Sequence, residues 1–162
     1  MRVMGLAVSI SGKKITVAAV VLDDHARPED GFDRQALRVE DSFEVKESVE
    51  DVAVRLGELS KKVRGRARSI APEGIVIRRA DRPKRSSNNE GPRLRLLAEG
   101  AVTGAAYEVV RNTVIRNGKD CGAAFGTSKD GLDTEAETVL GGKYAEATAA
   151  ALSGLVGNRT TT

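Results

Sequence analysis

Val3-Met4-Gly5-Leu6-Ala7-Val8-Ser9-Ile10 is followed, after Ser11-Gly12-Lys13-Lys14, by Ile15-Thr16-Val17-Ala18-Ala19-Val20-Val21-Leu22. Both runs are rich in β-branched residues, and a short Gly-containing connection between two such runs signals a β-hairpin. The polar stretch from Asp23 to Gln35, with Pro28 and Gly31, reads as a long loop. Leu37 to Val45 alternates well enough to predict a third strand at a sheet edge. Three antiparallel strands are therefore expected first.

Ser48 followed by Asp51 has the form of a helix N-cap with an acid three positions on. Val49, Val52, Ala53, Leu56, Leu59 and Val63 then recur at helical spacing, which predicts one amphipathic helix ending near Gly65. Pro72-Glu73-Gly74 breaks the chain before the apolar run Gly74-Ile75-Val76-Ile77-Arg78, suited to a buried strand, and strand-helix-strand order implies a parallel crossover. Gly91-Pro92 opens a second helix, with Leu94, Leu97, Ala98, Ala101, Val102, Ala105, Ala106 and Val109 on one face. Gly in mid-helix costs up to ~1 kcal/mol relative to Ala, so Gly100 and Gly104 predict a close helix-sheet contact more than a dimer interface. Thr113 to Arg116 suits a fifth strand, a Gly-rich stretch runs from Gly118 to Gly142, and Lys143 to Leu155 forms an Ala-rich last helix. The chain of 162 residues is about one domain long, read as a single unit over residues 1–157 with a frayed tail at 158–162.

Composition removes several classes of function. No run near the N-terminus is apolar enough for a signal peptide or a membrane helix, so the cytoplasm is the expected compartment and no membrane is expected as a partner. Cys121 is the single cysteine and His25 the single histidine, which excludes an internal disulfide, a Cys-x-x-Cys redox motif and a His-rich metal site. Cys121 reads as a small packing residue and His25 as a solvated turn residue. Aromatic residues make up 3% of the chain with no Trp, leaving few candidates for base stacking. Nucleic-acid binding, where it occurs, is expected through phosphates and shape.

The order hairpin, third strand, helix, strand, helix, strand, helix resembles the ribonuclease H-like α/β fold: a mixed five-stranded sheet, three antiparallel strands then two parallel, flanked by helices. Met4-Gly5-Leu6-Ala7-Val8-Ser9 is similar to the opening strand of its RuvC-like resolvase branch. Gly74 to Arg78 with the helix Arg93 to Ala106 is similar to that branch's second catalytic strand and small-residue helix, and Lys143 to Leu152 to its closing helix. The resemblance implies carboxylates at those three places holding two divalent metals that cleave a phosphodiester. Here Ala7 stands where the first acid is expected and Arg78 or Arg79 where the second is, while Glu146 falls near the last. Ala cannot ligate a metal and Arg repels one, so natural loss of conventional two-metal cleavage is the simplest reading.

A basic run is the candidate for function independent of those acids. Between Arg78 and Arg95 lie Arg78, Arg79, Arg82, Lys84, Arg85, Arg93 and Arg95 against Asp81 and Glu90, an excess of +5 in a chain whose net charge is +3. The segment should leave the C-terminal edge of the sheet and enter a helix N-terminus, both favourable to anions. The leading expectation is branched or duplex nucleic acid held by phosphate contacts with no cofactor, against a solvated loop of no function. The alternatives are a divergent Mg²⁺-dependent nuclease using Asp81, Glu90 and Glu146, and a self-associating structural protein such as a homodimer. Lys61 to Arg68 reads as basic side chains complementing a helix C-terminus, and Asp130, Asp133, Glu135 and Glu137 as helix-start acids.

Overall fold

The computed structural model describes residues 1–25, 31–48, 50–81 and 90–157. The hairpin is formed by β1 (Arg2–Ser11) and β2 (Lys14–Asp23), which turn through Gly12 at φ 57, a left-handed conformation that glycine adopts without strain. β3 (Arg38–Ser48) pairs antiparallel with β2 and lies at the sheet edge. β4 (Gly74–Arg78) lies parallel to β1, and β5 (Thr113–Arg116) parallel to β4, giving the order β3-β2-β1-β4-β5. This is the mixed five-stranded sheet expected of a ribonuclease H-like fold.

Strand side chains alternate between two cores. Met4, Leu6, Val8, Ile75 and Ile77 face a layer made by α1 (Val52–Ile70) and α2 (Glu90–Val109). Val3, Ala7, Val20 and Val76 face α5 (Ala145–Gly157), flanked by α3 (Gly118–Phe125) and α4 (Lys129–Leu140). Backbone meets backbone where α5 crosses β1. A Cβ on Gly5 would lie 1.9 Å from the Ala147 carbonyl oxygen and 2.6 Å from the Ala151 nitrogen. Gly154 makes the reciprocal approach, its would-be Cβ 2.7 Å from Val3 and 2.8 Å from Val76. The buried alanines Ala147, Ala149, Ala150 and Ala151 keep the rest of α5 narrow enough to seat.

Several expectations are corrected. Ser48 is the last residue of β3, and α1 starts at Val52 after Asp51, a left-handed residue at φ 52 whose side chain caps nothing. The helix passes through Gly65 to Ile70 because Ala67 is fully buried, and packing outweighs the propensity cost of one glycine. The Gly-rich stretch 118–142 holds two helices. Asn117 caps α3 by accepting from the Asp120 N–H (2.8 Å), and Ser128 caps α4 by accepting from the Gly131 N–H (3.0 Å). Glycine there serves packing: a Cβ on Gly122 would lie 2.6 Å from the Ser128 backbone. A 3-10 turn, Gly142–Tyr144, leads into α5. Gly100 and Gly104 make no close contact with the sheet, since a Cβ at either meets nothing within 4 Å; Leu94, Ala98, Val102, Ala105 and Ala106 form the buried face of α2 instead. Residues 158–162 lie outside the described residues. No described helix is long and apolar enough to cross a membrane.

Gly5→Ala is expected to cost ~3 kcal/mol or more, because the overlap is with backbone that cannot rotate away. Gly65→Ala, at an exposed helical position with nothing within 4 Å, should gain about 0.5–1 kcal/mol. Thermal unfolding checks both: the first should lower Tm on the order of 10 °C and the second raise it by a few degrees.

Candidate functional site

At the C-terminal half of β1, Ala7 lies between Ala18 of β2 and Arg78 of β4. Two adjoining hollows open there, both lined by Ser9 and Arg95. The larger, about 840 Å³, lies between Ile10, the segment Arg79-Ala80-Asp81 and the first turns of α2. The smaller, about 300 Å³, sits over Ala7 and Ala18 and is closed by Glu44, Lys143 and Glu146.

Arg95 organises the junction between them. Its Nε donates to Glu99 Oε1 (2.9 Å) and its Nη2 to Glu146 Oε2 (3.3 Å). Glu99 is buried and also accepts from the Ala80 N–H (2.9 Å), which ties the chain leaving β4 to α2. On the far wall, Glu44 pairs with Lys143 and with Lys46, each at 3.2 Å. Desolvation pushes the Glu44 carboxyl up, but hydrogen bonds from the two ammoniums outweigh it and hold the group below its ordinary value. The bond to Glu44 correspondingly raises Lys143.

Arg78 does not face this cleft. Only 3% exposed, it turns into the layer of α3 and α4, where Nη2 lies 3.6 Å from Asp133 Oδ1 and Nη1 is buried with no hydrogen-bond partner. The space it occupies exists because residue 118 is glycine: a Cβ there would lie 2.6 Å from Arg78 Nη2. Asp81 turns toward the same layer, accepting from the Gly118 N–H (3.0 Å) and lying 3.9 Å from Lys129. Lys129 also binds Asp133 at 3.0 Å, and that bond raises its ammonium above the ordinary value. Cys121 is buried nearby, and burial pushes its thiol up, consistent with a packing role.

The predicted site residues thus divide. Arg79 and Arg93 are exposed and line the larger hollow, and Arg95, half-buried, lines both. Arg82, Lys84 and Arg85 lie outside the described residues. Arg78 is corrected from a phosphate contact to an interior cation, because a side chain sealed beneath α3 cannot reach a ligand in the cleft. Asp81, Glu90 and Glu146 do not converge. Among the described residues the one group of three His, Cys, Asp or Glu ligand atoms lying together is Asp23, His25 and Glu40, away from the cleft. The side chains at the expected catalytic positions therefore do not fit a divalent metal: Ala7 offers no donor, Arg78 is a buried cation, and the Glu146 carboxylate is tied to Arg95.

The basic run of α1 is largely consumed by ion pairs: Lys62 with Glu47, Arg64 with Glu108, and Arg66 with Asp41 at 2.8 Å. Only Arg68 stands in the last turn to complement the helix C-terminus. Sequence reasoning passed over Arg95–Glu99, although the i,i+4 spacing was readable. It could not foresee Lys143 and Glu44 meeting across the cleft.

No protein-family model matches the sequence, and no curated protein matches it. Solved structures do. The structure of Thermus thermophilus RuvC aligns over 100% of this chain and 98% of its own, with TM-score 0.70 and 20% identity. The same organism's RuvC in complex with a Holliday junction substrate aligns with TM-score 0.73 and 22% identity, over 100% of this chain and 97% of that one. The fold is that of RuvC. The yeast mitochondrial Holliday junction resolvase Ydc2 aligns more loosely, with TM-score 0.50 and 10% identity over 97% of this chain and 77% of its own. Within the RuvC fold, Ala7 and Glu146 line one hollow while Arg78 leaves it.

Asp133→Asn should destabilise the protein by about 1–3 kcal/mol, since it strips the buried Arg78 guanidinium of its counterion; the lower part of that range reflects the partial exposure of Asp133. Adding Arg78→Met should recover most of the loss, because no buried charge then remains. A thermal-unfolding double-mutant cycle reads the coupling, and additive losses would show that the two side chains do not act as a pair.

Proposed function

We propose that this chain is a catalytically degenerate RuvC-like domain that binds branched or duplex nucleic acid without conventional two-metal cleavage. The carrying observation is the cleft over Ala7, where a metal-ligand set is missing and Arg95 clamps the sole expected carboxylate, Glu146. Arg79 and Arg93 stand on the wall of the adjoining hollow, at the two ends of a segment that also contains Arg82, Lys84 and Arg85. Phosphate contacts of this kind fix a duplex in register without reading its bases. A RuvC of the same fold is known in complex with a Holliday junction substrate, which makes a four-way junction the natural probe.

The divergent-nuclease reading, with Mg²⁺ on Asp81, Glu90 and Glu146, loses support from their separate placements. Self-association retains a specific observation. Leu96, Leu97 and Tyr107 are exposed at 64%, 55% and 48% on α2, with the bare backbone of Gly100 and Gly104 between them. A second copy packed helix to helix would cover that face, so a homodimer is compatible with binding a symmetric junction.

Labelled four-way junction, duplex and single-stranded DNA and RNA, titrated over a salt series, test the proposal. Junction or duplex binding should weaken steeply with salt, and Arg79→Ala/Arg93→Ala should lower the salt slope by about one per lost phosphate contact. The substrate should remain intact with Mg²⁺ or Mn²⁺. Cleavage would restore the nuclease reading. No binding, together with a concentration-dependent mass by sedimentation, would leave self-association as the function.

A further inference from the structure

Away from the cleft, the end of β2 meets the start of β3. Asp23 closes β2, His25 follows two residues later, and Glu40 lies on β3. The β2–β3 register slips at this point: Val21 faces Asp41 while Leu22 faces Val39, which leaves Glu40 as the extra, bulged residue. A bulge re-aims the side chain it carries. His25 is held from the other side, its backbone N–H donating to Asp23 Oδ1 (2.9 Å) while it adopts the left-handed φ of 43. The imidazole ends up between two carboxylates, Nε2 lying 3.2 Å from Glu40 Oε1 and Nδ1 3.5 Å from Asp23 Oδ1.

We propose that Asp23, His25 and Glu40 form a binding site for a divalent first-row transition ion such as Zn²⁺, Co²⁺ or Ni²⁺. One donor atom from each residue lies within 4.8 Å of the other two, so small side-chain rotations bring all three onto one ion with an open position for water. The donors are one nitrogen and two oxygens. That set suits a borderline ion, whereas Mg²⁺ and Ca²⁺ demand more oxygens than it offers. Asp23 is nearly buried and pre-positioned, while His25 and Glu40 remain open to an ion entering from solvent. Competing cations set the affinity: the Met1 ammonium lies 3.4 Å from Asp23 Oδ1 and Arg2 Nε 3.7 Å from Asp23 Oδ2. Three ligands against that competition point to binding weaker than that of a closed four-ligand site. Bound metal would fasten the edge strand to β2, so it should stabilise the native state.

Tag-free protein titrated with Co²⁺ and Zn²⁺ tests this. One equivalent of Co²⁺ should bind with a visible d–d spectrum, Zn²⁺ should displace it, and saturating Zn²⁺ should raise Tm by several degrees. His25→Asn, which keeps a residue tolerant of positive φ, and Glu40→Gln should each weaken binding ten-fold or more while leaving the metal-free Tm little changed. Absence of saturable binding would overturn the proposal. So would binding that survives both substitutions, since the ion would then sit elsewhere, or Mg²⁺ competing at equal concentration.

Discussion

The tightest approach at any described glycine, α5 lying backbone to backbone on β1 at Gly5, fixes the position of nearly everything that follows. No side chain larger than hydrogen fits at residue 5, and the alanines of α5 make it thin enough to descend to that distance. Because the helix starts at Ala145 and crosses β1 two residues before Ala7, its first turn is delivered to the cleft. Glu146 faces the hollow for that reason. The same packing leaves room beside α5 for α3 and α4, and hence for the interior that receives Arg78. The geometry of the site is thus a consequence of one contact that contains no polar side chain.

The charges of the cleft are balanced locally, which the bare count of basic residues does not reveal. Arg95 answers both Glu99 and Glu146, and Lys143 with Lys46 answers Glu44. The exposed cations, Arg79 and Arg93, lie at the rim. A cleft of this kind presents a phosphate with a positive margin and a neutral floor, the reverse of a two-metal centre, where an acidic floor concentrates cations. The excess of +5 read from the sequence therefore overstates what a ligand would meet on the described surface, because Arg78 is spent inside and Arg95 is spent on carboxylates.

Patterns confined to one element were legible in the sequence. The hairpin, β4 and β5 were read to within a residue or exactly in register with the structure, because short apolar runs bounded by glycine and proline carry their own punctuation. What failed depended on partners distant in the chain. Residues 118 to 142 were legible only as a Gly-rich stretch, and the structure shows Gly118 making room for Arg78 and Gly122 for Ser128, so those glycines mark crowding. Gly100 and Gly104 suggested crowding and are open. Glycine alone does not distinguish the two cases; only the neighbour does. Likewise, Arg78 was legible as a departure from an expected acid, but its burial against Asp133, more than fifty residues on, was not.

That burial also bears on what acids at the positions the resemblance singles out would meet in this structure. Supplying an acid at residue 7 would place a carboxylate beside Glu146 in the smaller hollow, but two further obstacles are built into the surrounding structure. Glu146 is already bonded to Arg95, which is bonded to Glu99 and through it to the backbone at Ala80. An acid at residue 78 would inherit a direction that leads to Asp133, and two carboxylates facing one another in an interior cost several kcal/mol unless one is protonated. An acid at residue 78 would also unbalance α4, where Asp133 faces Arg78. The network around Ala7 is organised by the cations Arg95 and Lys143, so likeness of fold to a resolvase does not by itself carry likeness of chemistry.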